Sequence, residues 1–224
     1  MNKKVTAVLP IKYNSQRVPG KNFRLFHGKP LFTHIIATLK AVADIDSIVV
    51  NVDSCEVEEK ISLFFSDIVI YHRPKELCGD DVSVNLILEE MLPKIEGEMF
   101  IQTHVTNPCL QGTTISEAIN CFAQKSGKND ACLSVTKHFS RFYTSNNTPI
   151  NHDPQHLIQT QDLPPLYEDN SCFYIFPRNT FTKHTRTGKN PLLYPINKLE
   201  AIDIDTEEDF ILAEHIFNIL QKCK

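Results

Sequence analysis

Residues 9–31 read LPIKYNSQRVPGKNFRLFHGKPL. A short apolar run, 5–9, leads into this stretch and an apolar-periodic segment leaves it at Pro30, so the order is strand, loop, helix. The loop turns at Pro19-Gly20 and carries Lys12, Arg17, Lys21, Arg24 and Lys29 around that turn. Flexible backbone exposes N–H groups, and clustered cations offset anionic charge, which suits a polyphosphate such as that of a nucleotide. Basic surface loops are also commonly just solvated, so composition does not by itself separate the two readings. Two other phosphate signatures are missing: Phe23 stands where a P-loop ending at Gly28-Lys29 needs glycine, and no G-x-G-x-x-G occurs. A P-loop NTPase and a dinucleotide dehydrogenase are thereby disfavoured.

The 224 residues exceed the usual size of about 100–150 residues per domain, yet no linker or charge run divides them, so one α/β domain over 1–224 is expected. An apolar content of 42% fits a globular core, and a net charge of −4 disfavours general nucleic-acid or anionic-membrane partners. Cys55, Cys78, Cys109, Cys121, Cys132, Cys172 and Cys223 are spread out, odd in number and free of C-x-x-C, which predicts reduced thiols in a cytoplasmic protein. The first residues lack a signal-peptide cleavage pattern, and no run approaches the roughly 18 apolar residues of a membrane span.

Short apolar runs alternate with helical patterns, the signature of a largely parallel, Rossmann-like sheet flanked by helices. Strands are predicted near 5–10, 47–52, 68–71, 99–103, 131–136, 172–176 and 192–196, and helices over 31–43, 56–65, 82–92, 114–125 and 207–223. In the last helix Phe210, Ala213, Phe217 and Leu220 share a face, and Thr206 with Asp209 makes a capping-box pattern. Between about 138 and 170 the periodicity vanishes among prolines and polar residues, which predicts an irregular lid or subunit-contact segment. His152 and His156 lie there with Pro154 between them, which spoils a helical metal pair.

Ala201-Ile202-Asp203-Ile204-Asp205-Thr206 alternates as a strand does, with both carboxylates on one side. Carboxylates two residues apart on extended chain are rooted about 7 Å apart and can share one hard cation such as Mg²⁺. The competing reading puts Asp203 in a turn and leaves Asp205 supporting the helix that Thr206 caps.

Taken together, the two ends of the chain resemble the cytidylyltransferases that make CMP-N-acetylneuraminate and CMP-3-deoxy-manno-octulosonate. The family loop, hydrophobic-P-A-R-x-x-S-x-R-x-P-x-K-N, is followed from Leu9 to Asn22 with Lys12 in place of the leading arginine. Arg73-Pro74-Lys75-Glu76-Leu77, then Asp80, resembles its R-P-x-x-L segment. Gln102, ahead of Thr106-Asn107-Pro108, is similar to the glutamine of Q-x-T-S-P with two residues inserted. The run from Asn170 to Ile175 resembles N-G-x-x-Y-I, and Asp203 and Asp205 match D-I-D-T. The five elements occur in the family's order and span nearly the whole chain.

The resemblance implies a nucleotide-diphosphosugar transferase fold, with a mostly parallel mixed sheet, in a homodimer whose exchange segment falls at 138–170. It implies CMP transfer from CTP to the anomeric hydroxyl of a 2-keto-3-deoxy sugar acid for surface-glycan assembly, with Mg²⁺ on Asp203 and Asp205. Lys12, Ser15, Arg17, Lys21, Asn22, Arg73 and Asp80 would bind the nucleotide. Lys12, Lys21 and Asp205 would act in catalysis, with Asp205 or metal-held water as the base. Gln102, His104, Asn170 and Tyr174 would face the acceptor. Where sialate-activating members carry an arginine for the sugar carboxylate, Thr160 stands here, and Lys137 or Arg141 would supply that cation. The same resemblance leaves open a different base or acceptor, or a non-catalytic nucleotide-binding subunit.

Overall fold

The structure, a computed structural model, describes residues 4–79, 81–125 and 127–222. Among them nine strands are formed: β1 (Val5–Ile11), β2 (Leu25–Phe26), β3 (Lys29–Pro30), β4 (Ser47–Val52), β5 (Val69–His72), β6 (Met99–Thr103), β7 (Ala131–His138), β8 (Leu166–Pro177) and β9 (Pro191–Pro195). The helices are α1 (Leu31–Lys40), α2 (Cys55–Ser62), α3 (Val84–Met91), α4 (Gly112–Lys125) and α5 (Glu207–Lys222). Seven strands build one sheet in the order β5-β4-β1-β6-β8-β7-β9, and β8 runs antiparallel to both its neighbours in an otherwise parallel sheet.

β1 is apolar almost throughout because both of its faces are covered. Ala7, Leu9 and Ile11 face α1, α2, α4 and α5, whose Ile35, Ile61, Phe122 and Phe210 complete the larger core. Val8 faces the other side, where Ile87, Leu88 and Met91 of α3 pack with Phe100, Tyr174 and Phe176. Each such buried side chain stabilises the fold by roughly 1.5–3 kcal/mol. Burial pushes the thiols of Cys109 and Cys132 up to about 12 and that of Cys172 upward as well, so these behave as small apolar side chains.

The predicted elements are present with small boundary shifts, and the largest correction concerns the irregular segment. β7 continues to His138 and β8 begins at Leu166, so the segment outside strands shrinks from 138–170 to 139–165. Residues 166–170 show no alternation because this end of the hairpin is largely exposed; its pairings, such as Val135 with Asp169 and Lys137 with Tyr167, set it as strand. Cys223, expected at the end of the last helix, lies outside the described residues. No described helix is long and apolar enough to cross a membrane.

Two turns fix the loop after β1. Lys21 N donates to Val18 O at 3.1 Å across Pro19-Gly20, and Gly20 sits at φ 64° and ψ 15°, which makes a type II turn. His27 and Gly28, at φ 50° and 81°, then close the β2–β3 hairpin, burying Phe26 against the rings of Phe210 and Phe217 of α5. The β2–β3 hairpin is thus packed onto the last helix. A side chain with a Cβ at position 20 meets no neighbour but must hold a left-handed backbone, at a cost of roughly 1–2 kcal/mol. Gly20→Val is expected to lower Tm by about 2–8 °C in a thermal melt; an unchanged Tm would contradict the turn assignment.

Candidate active site

The loop after β1 forms one wall of a cleft of about 380 Å³, and Lys12, Ser15, Arg17, Lys21, Asn22 and Arg73 all line it. These are six of the seven residues expected at the nucleotide; the seventh, Asp80, lies outside the described residues. Asn22 Nδ2 donates to Lys12 O at 2.8 Å, and Lys12 Nζ donates to Gly79 O at 2.9 Å, so the loop is pinned at its root and across the cleft. Arg73 is only 5% exposed. Its Nη2 donates to Ile11 O and Asn51 O at 3.1 and 3.2 Å, joining the ends of β1 and β4. Its Nε and Nη1 are buried without a hydrogen-bond partner among the described residues, which leaves two donors at the cleft floor.

The C-terminal acidic pair meets this loop. Arg17 grips Asp205 through both guanidinium Nη atoms at 2.7 Å, and Lys21 Nζ donates to Ile204 O and lies 3.8 Å from Asp205. Lys21 is 6% exposed, and burial lowers its pKa while Asp205 and Asp203 oppose the shift. Asp205 is held in turn by the start of α5. Asp209 accepts from the backbone N–H of Asp205 at 3.1 Å and of Thr206 at 2.8 Å, and Asp209 N donates back to Thr206 Oγ1 at 3.2 Å, closing the expected capping box.

Asp203 sits where the cleft approaches a second cavity of about 400 Å³, which it lines with Thr136, Glu168, Asn170 and Lys198. Ile204 N donates to Thr106 O at 3.0 Å, so the acidic strip is tied to the cleft residue Thr106. Burial pushes the Asp203 carboxyl up; a Thr106 hydrogen bond opposes that, and the neighbouring Asp205 adds to it. Asp203 Oδ1 is buried with no hydrogen-bond partner among the described residues. A buried, unpartnered carboxylate oxygen beside a second carboxylate is an all-oxygen donor set that fits a hard divalent cation.

The expected acceptor residues separate into two groups. Gln102 and Tyr174 face each other across the β6–β8 pairing, and Gln102 Nε2 donates to His104 Nε2 at 2.9 Å. Burial, with Arg186 and Lys21 nearby, pushes His104 down to about 4, so this cleft residue is neutral at pH 7. Asn170 meets Thr136 Oγ1 at 3.2 Å in the second cavity with Asp203. Lys137 and Arg141 line neither cavity: Lys137 lies over the Phe139 ring at 4.6 Å, and Arg141 donates to Ile158 O at 2.7 Å. Arg186 escaped the sequence reading. It lies between β8 and β9 in a stretch without periodicity, and only the fold lays it over the Tyr174 ring, 3.9 Å from the centroid.

Residues 6–222 match the sequence profile of the family described as Cytidylyltransferase. The chain belongs to the cytidylyltransferase family. It is 28% identical over 223 residues to an N-acylneuraminate cytidylyltransferase of Streptococcus agalactiae, covering 96% of this chain and 54% of that protein. It thus spans about half the length of the Streptococcus agalactiae relatives it matches. A CMP-N,N'-diacetyllegionaminic acid synthase of Legionella pneumophila is 26% identical over 98% of this chain and 99% of its own. Among solved structures, a CMP:2-keto-3-deoxy-manno-octonic acid synthetase complexed with CTP superposes with a TM-score of 0.70 at 14% identity, covering 98% of this chain and 99% of its own, which establishes the same fold.

In this cytidylyltransferase Asp203 has a folded-state pKa above its unfolded value. Protonated Asp203 costs nothing on folding; the ionised form lowers stability once pH rises past the unfolded pKa, and in full above the folded one. Without divalent cations, Asp203→Asn is therefore expected to melt higher than wild type at pH 7, with the difference shrinking as pH falls toward 4. A lower melting temperature for the variant at pH 7 would refute the buried-charge account.

Proposed function

We propose that this cytidylyltransferase transfers CMP from CTP to the anomeric hydroxyl of a 2-keto-3-deoxy sugar acid of nonulosonic or octulosonic type, releasing pyrophosphate. The observation that carries this reading is that Lys12, Arg17, Lys21 and Arg73 line one cleft while Arg17 and Lys21 of that lining meet Asp205 of the acidic strip. Relatives named for N-acylneuraminate, diacetyllegionaminic acid and pseudaminic acid point to the acceptor class.

Lys12, Arg17 and Lys21 bind the triphosphate, Ser15 and loop N–H groups add donors, and the two free donors of Arg73 serve the nucleoside end. The anomeric oxygen attacks the α-phosphorus, the bond to the β-phosphate oxygen breaks, and the hydroxyl proton passes to Asp205. Lys12 and Lys21 offset the charge that builds on the phosphoryl and leaving oxygens. Lys12 does so as a point charge where the family loop carries the bidentate fork of arginine. Asp203 and Asp205 would hold Mg²⁺, which when bound supplies charge neutralisation at the triphosphate. Gln102, His104, Asn170 and Tyr174 bound the acceptor, and neutral His104 serves as a hydrogen-bonding group rather than as an acid.

The reading places the protein in the cytoplasm, where its free cysteines stay reduced. It also places the 139–165 arm against a second copy of the chain: Phe139, Tyr143, Ile150, Leu157 and Ile158 are all exposed on it.

A pyrophosphate-release assay with CTP, UTP, GTP and ATP against a panel of sugar acids tests the activity. CTP with one such acid should give turnover, and Asp203→Asn or Asp205→Asn should lower kcat/KM by about 10²-fold or more. Turnover that survives both substitutions would remove the metal role, and preference for another nucleotide would change the base. In sedimentation velocity the chain should run as a dimer that L157D/I158D converts to monomer; a monomeric wild type would sink the arm's assignment.

A further inference from the structure

Arg186 is a cation with no acidic partner among the described residues. Nη1 donates to Asn85 Oδ1 at 2.7 Å, the guanidinium lies 3.9 Å over the Tyr174 ring, and Nε is buried with no hydrogen-bond partner among the described residues. Nη2 likewise makes no hydrogen bond to a described residue, and no described carboxylate forms an ion pair with this side chain. Arg186 is half-buried, and a guanidinium partly withdrawn from water gains from a counter-charge with matching hydrogen bonds. Here an aromatic face and a neutral amide hold the group in place, and no described carboxylate pairs with it.

Each tether is one step from the cleft lining. Asn85 follows Val84, which lines it, and Tyr174 stands opposite Gln102, whose amide reaches the cleft residue His104. Gln102 Oε1 is itself buried without a partner, so a second unsatisfied polar atom sits beside the same aromatic ring. Arg186 also acts electrostatically on His104, as its lowering of that imidazole's pKa records. The other two cations considered for this role have other neighbours: Lys137 lies over Phe139 and Arg141 is bound to Ile158 O.

We propose that Arg186, stacked on Tyr174 and tied to Asn85, binds the carboxylate of the acceptor and so makes the site selective for a sugar acid over a neutral sugar. This rests on the acceptor class given above. In a 2-keto acid the carboxylate is attached directly to the anomeric carbon. A planar guanidinium holding it therefore orients the attacking hydroxyl, and Arg186 is a specificity-determining and positioning residue for the transfer.

The test compares wild type with Arg186→Gln, Arg186→Lys and Arg141→Gln in the pyrophosphate-release assay, with an accepted sugar acid at saturating CTP, and then with CTP varied. Binding of the acid and of its C1 carboxamide is followed by ligand-observed NMR. Arg186→Gln should raise the acceptor KM by about 10–100-fold, with the CTP KM and melting temperature near wild type. Arg186→Lys should fall between, Arg141→Gln should change little, and the wild-type preference for acid over carboxamide should disappear in Arg186→Gln. Wild-type turnover with an unaltered acceptor KM or an intact acid preference in Arg186→Gln overturns the Arg186 assignment alone. Equal increases in both KM values mark a structural role and overturn it too. Absence of wild-type turnover with every acid overturns the functional reading, and this assignment with it.

Discussion

The contact between Lys21, Arg17 and the strip Ile204-Asp205 joins residues more than 180 positions apart and ties the basic wall of the cleft to the acidic strip. An ammonium as buried as that of Lys21 requires compensation, which the Ile204 carbonyl and Asp205 provide. That requirement explains the supports around it. Arg24 pairs with Glu207 through two hydrogen bonds of 2.6 and 2.8 Å and lies over Phe210 at 4.2 Å, while Phe26 plugs the hairpin into α5. Asp209 then caps α5 and fixes the backbone of Asp205. Loop and acidic strip are positioned by one another, and neither is placed by its own strand alone.

Within this contact the two cations have different freedom. The Arg17–Asp205 pair is well exposed, with side-chain accessibilities of 67% and 37%, and such pairs are worth only about 0–1 kcal/mol. Either side chain can therefore exchange its partner at small cost. Lys21 is buried and stays as a fixed charge. Asp203 is the complement: an ionised carboxylate held in a poor environment stores a destabilisation that a positive ligand relieves.

What the sequence disclosed follows the range of the interactions involved. β1 and β6 are legible because strands covered on both faces read as apolar runs, and Lys12, Ser15, Arg17, Lys21 and Asn22 are legible because one local turn gathers them. The outer end of β8 is not, since its polar residues become strand only through pairing with β7. Arg186 is not legible either: nothing in residues 182–189 marks it, and its setting arises from the partnering of Tyr174 with Gln102 across two distant strands. Lys137 and Arg141 looked equally suitable as isolated cations, and the fold turns both to other neighbours.

Strand order accounts for where the cleft lies. From β1 the chain moves outward through β4 to β5, then returns to place β6 on the other side of β1. Connections leaving β1 and β6 therefore diverge at their carboxyl ends, and crevices at such reversals are where open α/β sheets bind ligands. β1 delivers the basic loop there, and β6 delivers Gln102 and then His104 and Thr106. The antiparallel β8 next to β6 adds what a fully parallel sheet would not: it brings Tyr174 beside Gln102 and lets the following chain fold back with Arg186 over that ring. One face carries four helices and the other chiefly α3, and it is on the α3 side that Tyr174 packs and Arg186 lies over it, tied to Asn85 of α3. The reversal at β1/β6 thus places the basic loop, and the single inverted strand places Tyr174 and the chain that carries Arg186.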